Sequence, residues 1–533
     1  MESGRVVEKF GSFHVLHFFL TCLPALFNAM SNVNFVLLTS DVNYRCRVPE
    51  CESNRQEYMP TWWPTAVDRC SRPVLNGTIK TTCTNTSFSD ALEKCDEWIY
   101  ETNNTVIAEL GLACQPIKAN MIGTMHNIAM ATSMLLAGRI ADWIGRKPTM
   151  IFCSVSTFLG IFKTLAPSYY VYIAFEFLEA IGAGGIVTVG LVIMIETSNK
   201  KYRLLGGVLF GYFIYTGEVI FACLAMVIPY WKNLLYAVYA PTILFLLYIP
   251  ISKETLRWLI IHEKVDEAKR LIKTIVKMNK VDIDPNDIDK MDLETMKVAC
   301  EVETIETKEG YTDAFKSPEL VKRFLIGTFC RFTVVFIYYG LTVNSVGLPG
   351  NRNMNFLLTS LISYPGDFLC LIFMNRFGRK FPLICGYALC GVTCVLFAFV
   401  PSGLNWLKIT LYLISKLVVA ACYTGVVTYI IELFPTSVRG SLFGLCILFA
   451  SLGTTLAPLT PSLSTIMMSI CFGCSAITSS ILLFFVPETN NRQLVDTVEQ
   501  LEDMMRANKE RSVKYRNGHE NCGFDHDEES RAH

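Results

Sequence analysis

Twelve stretches of about 20 predominantly apolar residues recur along this chain, each long enough as a helix to cross the roughly 30 Å hydrocarbon core of a bilayer. They fall at 15–37, 119–137, 149–166, 170–194, 204–228, 231–250, 323–343, 353–375, 382–400, 407–431, 441–459 and 464–487. The second and seventh are mixed with polar groups, as expected of helices that line an aqueous cavity. The first starts near Phe10 and continues through residues 33–38, so it reads as a spanning helix rather than a cleaved signal peptide. The expected fold class is an all-α membrane protein. Composition agrees, because only 18% of the residues are charged. Soluble domains carry about 25%. A formal net charge of zero gives no reason to expect a nucleic-acid partner; the lipid bilayer is the expected one.

The connecting charges orient the chain. Arg139, Arg146 and Lys147 follow the second span, and Lys200, Lys201 and Arg203 the fourth. Arg376, Arg379 and Lys380 follow the eighth, and Arg439 the tenth. All lie on one side if both termini are cytoplasmic, whereas the opposite short loops carry mainly Lys232, Arg352 and Lys408. The expected organisation is a cytoplasmic N-terminus (1–14), a six-helix bundle (15–250), a charged cytoplasmic linker (251–322), a second bundle (323–487) and a cytoplasmic tail (488–533). The linker has helical patches such as 263–275, consistent with a helical layer bridging the two halves. The external loop at 38–118 holds Cys46, Cys51, Cys70, Cys83, Cys95 and Cys114, with glycosylation sequons at Asn76, Asn85 and Asn103. Both suit the oxidising face that the charge rule assigns to this loop. Six cysteines allow 15 pairings, and the sequence does not choose among them.

After the second span the chain reads Gly138-Arg139-Ile140-Ala141-Asp142-Trp143-Ile144-Gly145-Arg146-Lys147-Pro148, and after the eighth Asn375-Arg376-Phe377-Gly378-Arg379-Lys380. Two related loops at matching places resemble the duplicated signature of the major facilitator superfamily. The resemblance narrows to the organic cation, organic anion and carnitine transporter family of solute carriers. It rests on the cysteine-bearing first loop, the Trp98-Ile99-Tyr100 stretch between Cys95 and Cys114, Lys253-Glu254-Thr255-Leu256-Arg257-Trp258-Leu259, Glu432-Leu433-Phe434-Pro435-Thr436-Ser437-Val438-Arg439 and Val486-Pro487-Glu488-Thr489. It implies a major facilitator fold of twelve transmembrane helices in two six-helix bundles, each built of inverted three-helix repeats around a central site. It also implies a plasma-membrane carrier that works by alternating access. Departures accompany it. Lys253 and Leu256 replace usual prolines, Glu176 and Glu179 stand where relatives carry Arg and Gln, Ser451 stands at the charged position of the eleventh span, and Asp367 replaces the Lys of anion carriers.

Charges at membrane depth usually face a cavity or a partner. Glu176, Glu179, Glu218 and Asp367 are therefore substrate-binding or coupling candidates, with Ser451 added by the resemblance. Glu218 and Asp367 form the sharper pair, since they lie near the middle of the fifth and eighth spans, in opposite halves. Ionised, they favour a cation and repel an anion; alternatively each takes up a proton, or pairs with a buried Lys416 or Arg331. Aromatic faces hold organic cations, which adds Tyr215, Phe336, Tyr339, Tyr364 and Tyr423, with packing between helices as the competing role. The duplicated loops form the expected cytoplasmic gate: Gly138, Arg139, Asp142, Gly145, Arg146 and Lys147, with Glu196, in one half, and Arg376, Gly378, Arg379, Glu432 and Arg439 in the other. Glu196 and Glu432 are expected to pair with Lys200, Lys201 or Arg439.

No HExxH, Walker loop, GxSxG or dinucleotide fingerprint is present, so the expectation is no enzyme, no cofactor and no metal. The expected function is secondary active or facilitative transport of small organic ions, organic cations favoured, with a proton or another ion as coupling partner. The alternatives are an organic anion or zwitterion carrier, and a non-transporting receptor or scaffold of the same fold. Oligomeric state is not legible.

Overall fold

The computed structural model describes the chain apart from residues 1–9, 53–56, 65–68, 76–82, 85–86, 199–201, 282–284, 300–314, 402, 436, 491–496 and 504–533. Among the described residues, eleven helices are long and apolar enough to cross a membrane. A twelfth, Pro116–Ile144, has 29 residues and the length to span, but Lys118, Arg139 and Asp142 lower its hydropathy. Numbered in chain order, the twelve are α1 Ser12–Leu38, α2 Pro116–Ile144, α3 Arg146–Leu165, α4 Tyr169–Thr197, α5 Arg203–Val227, α6 Trp231–Ile251, α7 Pro318–Asn344, α8 Arg352–Phe377, α9 Lys380–Phe399, α10 Asn405–Leu433, α11 Arg439–Ser462 and α12 Thr465–Leu483. Within the first half α2 packs on α4 and α1 on α5; within the second, α9 packs on α12 and α10, and α7 on α11. Small residues allow the closest of these approaches: a Cβ on Gly184 of α4 would collide with the Met130 backbone of α2.

Between α1 and α2 the chain forms two small antiparallel sheets. β1 (Tyr44–Cys46) pairs with β4 (Trp98–Tyr100), and β2 (Ser71–Leu75) with β3 (Phe88–Lys94). The structure joins Cys46 to Cys95, Cys51 to Cys83 and Cys70 to Cys114. Beneath them Arg45 is almost fully buried, ion-paired with Glu52 at 2.6 Å and flanked by the Trp62 and Trp63 rings. Asn103 is exposed; the other two sequon asparagines, Asn76 and Asn85, lie outside the described residues.

The linker at the opposite end carries a small core of its own. Ala268, Leu271, Ile272, Ile275 and Val276 recur at helical spacing along Val265–Asn279 and bury against Trp258, Leu259 and Ile260 of Leu256–Ile261. Phe13 at the start of α1 joins this core, and its N–H donates to Asn279 Oδ1 at 2.9 Å.

The two halves touch at their middle and at the sheet-bearing end. Asn120 Nδ2 of α2 donates to Ser462 Oγ at the end of α11 (2.7 Å), and Thr124 Oγ1 to the Thr455 carbonyl (3.2 Å). Arg352 donates to Ser40 Oγ (2.9 Å), Asn353 to the Ala225 carbonyl (3.2 Å), and Phe221 meets Phe356 edge-on. At the linker end, by contrast, the ion pairs of the described residues stay within one half or the other.

Candidate functional site

The centre of the interface is built by α5, α7, α8 and α10. Thr216 of α5 and Tyr364 of α8 share a hydroxyl–hydroxyl hydrogen bond of 2.8 Å across the halves. Around it the rings of Tyr212, Tyr215 and Tyr364 lie 5.5 to 6.5 Å apart. Asp367, one helical turn beyond Tyr364, accepts a 2.6 Å hydrogen bond from Thr424 Oγ1, and the Tyr215 hydroxyl stands beside it. No ion pair reaches this carboxylate among the described residues. Glu218 is buried next to Ser360 and in the field of Lys416, a cation from the opposite half. The Lys416 ammonium is itself fully buried: it donates to the Tyr338 carbonyl (3.0 Å) and Thr342 Oγ1 (2.6 Å), and lies over the Tyr338 ring. No ion pair joins Glu218 to Lys416 among the described residues, and Asp367 is the carboxylate set beside the tyrosine cluster. Arg331 is half-buried, donates to the Tyr423 carbonyl (3.1 Å) and covers the Tyr423 ring at 4.1 Å.

Three other sequence candidates have local packing partners. Phe336 stacks on Phe332 and meets Phe472, and the Tyr339 ring stands edge-on to Tyr338. Ser451 is half-buried in α11, its hydroxyl bonded to the Leu448 carbonyl one turn back.

Glu176 and Glu179 lie away from the central interface. Both are wholly buried inside the first half, one turn apart on α4. Lys163 of α3 donates to Glu176 at 2.9 Å and lies 3.6 Å from Glu179. His126 Nδ1 is 2.8 Å from Glu176 and 3.7 Å from Glu179. Tyr239 of α6 accepts from Lys163 at 2.8 Å and bonds Asn34 of α1, so five helices meet in one cluster. His126, Glu176 and Glu179 offer three metal-type ligand atoms within 4.8 Å of one another. The Lys163 ammonium already supplies the cation between the carboxylates, and the cluster reads as a structural ion-pair knot. Sequence reading missed Lys163 as the partner; the signal was a lysine at the end of an apolar span, 13 residues before a buried acid.

The two loops at the linker end repeat one construction. In the first half the Glu254 carboxylate accepts from the backbone N–H of Arg146 (3.1 Å), Lys147 and Thr255. Arg146 reaches Glu196 at 3.1 Å, and Thr255 Oγ1 donates to the other Glu196 oxygen at 2.6 Å. In the second half Glu488 accepts from the N–H of Arg379 (2.9 Å), Lys380 and Thr489, Arg379 meets Glu432 at 3.4 Å, and Thr489 Oγ1 donates to Glu432 at 2.6 Å. Gly145 and Gly378 have φ of 125° and 89°, where an L side chain is strained. A Cβ on Gly145 would strike Glu254, and one on Gly378 would lie 3.0 Å from Glu488. Among the described residues Glu196 and Glu432 are each held by the arginine and the threonine of their own half. Lys200 and Lys201 lie outside the described residues, and Arg439 donates to the Phe434 carbonyl. Asp142 pairs with Arg146 at 2.8 Å but leaves 71% of its side chain exposed. Gly138 is half-buried near Thr188, Arg139 is exposed, and Arg376 lies against the Phe377 ring. The equivalent acids differ electrostatically. Burial raises the Glu254 carboxyl above the ordinary range. Burial also pushes Glu488 up, but N–H donors from Asn490, Arg379, Lys380 and Thr489 outweigh it and hold that carboxyl below the ordinary value.

Comparison with known proteins gives a consistent picture. Residues 75–501 match the sequence model of the family described as sugar (and other) transporter. The chain is 29% identical to an organic cation transporter protein of Drosophila melanogaster, covering 93% of each chain. It is 27% identical to solute carrier family 22 member 3 of Rattus norvegicus, over 94% of this chain and 95% of that one. Among solved structures it is similar in fold to the inward open xylose transporter XylE of E. coli, with a TM-score of 0.61 at 14% identity, covering 92% of this chain and 99% of that one. A partially occluded form of the same transporter gives 0.62 at 13% identity, with 91% and 100% covered.

Proposed function

We propose, from the premise that this chain belongs to the sugar (and other) transporter family, that its cargo is a small organic cation held at Asp367. Membrane transport of small molecules follows from the family itself, and the chain acts as a carrier rather than an enzyme. The observation behind the cation reading is the carboxylate of Asp367, free of any ion pair among the described residues and set beside Tyr212, Tyr215 and Tyr364. An anionic group ringed by aromatic faces attracts an ammonium twice, by charge and by the ring quadrupole. The description of the Drosophila melanogaster relative as an organic cation transporter protein supports the same reading.

In this reading the linker end is cytoplasmic, the disulfide-bearing loop is external, and the protein resides in the plasma membrane. Contacts between the halves at the loop end then make the described state inward-open. Rocking the halves closes the linker end, where the duplicated Arg–Glu–Thr loops meet and latch the outward-facing state. A proton is the coupling ion that fits a centre holding the carboxyls of Glu218 and Asp367.

Arg331 supports a second reading. A half-buried guanidinium on the Tyr423 ring can take a carboxylate, so a zwitterion with its ammonium at Asp367 also fits. Uptake of a quaternary ammonium, a betaine and a carboxylate probe at clamped voltage separates the two. Asp367→Asn at matched surface level is expected to lower cation kcat/KM by about ten- to a hundredfold, the loss of one charge-assisted contact. Betaine uptake that fails in Arg331→Gln selects the zwitterion. Cation uptake untouched by Asp367→Asn sinks the site.

A further inference from the structure

A cavity of about 370 Å³ opens at the linker end between the start of α3 and the linker helices. Four cations line it from three separate stretches of chain: Lys147, Lys253, and the Lys264 and Arg270 pair. Only Glu254 and Glu267 oppose them, and Glu254 is already engaged by three backbone N–H groups. Among the described residues no carboxylate lies within ion-pair distance of any of the four charged ends. Lys253, Lys264 and Arg270 are exposed and Lys147 is half-buried, and their convergence on one concavity is the electrostatic form of an anion site. Lys264 is held 4.7 Å over the Trp258 ring, so part of the wall is pre-ordered.

Position identifies the kind of anion. The cavity borders the membrane-spanning segments: Ile144, which lines it, is 50% exposed, and its sequence neighbour Trp143 and Ile251, two residues before the lining Lys253, are 79% and 49% exposed. Exposed apolar side chains beside a basic cavity, at the boundary of a bilayer, match a ligand with a polyanionic head and acyl tails. A soluble phosphate compound has no use for that apolar rim. We infer that this cavity binds the phosphorylated headgroup of a membrane phosphoinositide, and that the lipid ties the α3 loop to the linker helices. The site does not depend on which substrate the protein carries.

The test uses the full chain in nanodiscs of phosphatidylcholine, with and without 5% phosphatidylinositol bisphosphate. Lipid retention is read by native mass spectrometry, with soluble inositol trisphosphate as competitor. The triple variant K253Q/K264Q/R270Q is expected to retain the phosphoinositide about a hundredfold less well, the effect of three basic residues near an anionic lipid. The charge-keeping variant K253R/K264R/R270K is expected to retain it, which excludes misfolding as the cause of the loss. Equal retention by wild type and the glutamine variant overturns the site. So does tight binding of the soluble headgroup without binding of the lipid.

Discussion

At the scale of single residues, four ionisable groups of the first half meet in one buried knot. Lys163, His126, Glu176 and Glu179 are all fully buried, and Lys163 contacts both carboxylates. Removing one member of a buried pair strands the other in a low-dielectric interior, at about 3–5 kcal/mol. Lys163→Met is therefore expected to lower thermal stability in detergent by that order. The double variant Lys163→Met/Glu176→Gln should recover a large part, because it also removes the stranded charge. A double variant no more stable than the single would show that the pair does not set stability here.

At the scale of elements, the repeated loop makes equivalent glutamates behave oppositely. Glu254 has a carboxyl raised by burial and Glu488 one lowered by its N–H donors, so Glu254 is expected to take up its proton at higher pH. The sign for stability follows. The raised Glu254 carries a cost that is present above its folded pKa and relieved as pH falls through it. The depressed Glu488 gives stability present above its unfolded value and lost as pH falls through its folded one. Isotope-edited infrared titration of Glu254→Gln and Glu488→Gln against wild type reads the order, and the reverse order would refute this assignment. In the same loop Gly145→Ala must adopt a strained φ and displace Glu254, so reduced transport at normal folding is the expected outcome.

At the scale of the whole molecule, the halves are held together at the loop end by side chains that must separate if access alternates. Asn120 and Ser462 are the simplest handle, bonded at 2.7 Å from opposite halves. Joining N120C to S462C with a short reducible thiol cross-linker is expected to suppress uptake below about a tenth of the uncross-linked level, with recovery on reduction. The estimate rests on transport requiring rigid-body motion of one half against the other. Unaltered uptake by the cross-linked protein would place the moving parts elsewhere. Both single-cysteine variants, treated alike, control for the native thiols.

The membrane class of the chain and its helix count follow from sequence because span length is a local property: roughly 20 apolar residues in succession need no partner to be recognised. The loops at Gly145–Lys147 and Gly378–Lys380 were legible for a similar reason, since their duplication lies within short, contiguous stretches. Charge compensation was not. Lys163 finds Glu176 from a neighbouring helix, and Arg146 reaches Glu196 across 50 residues of sequence. Ion pairing at membrane depth depends on distances of a few ångströms between helices that are far apart along the chain, and only the packing of those helices sets them. The same packing decided that Glu176 and Glu179 serve the interior of one half, while Asp367 is left facing the centre.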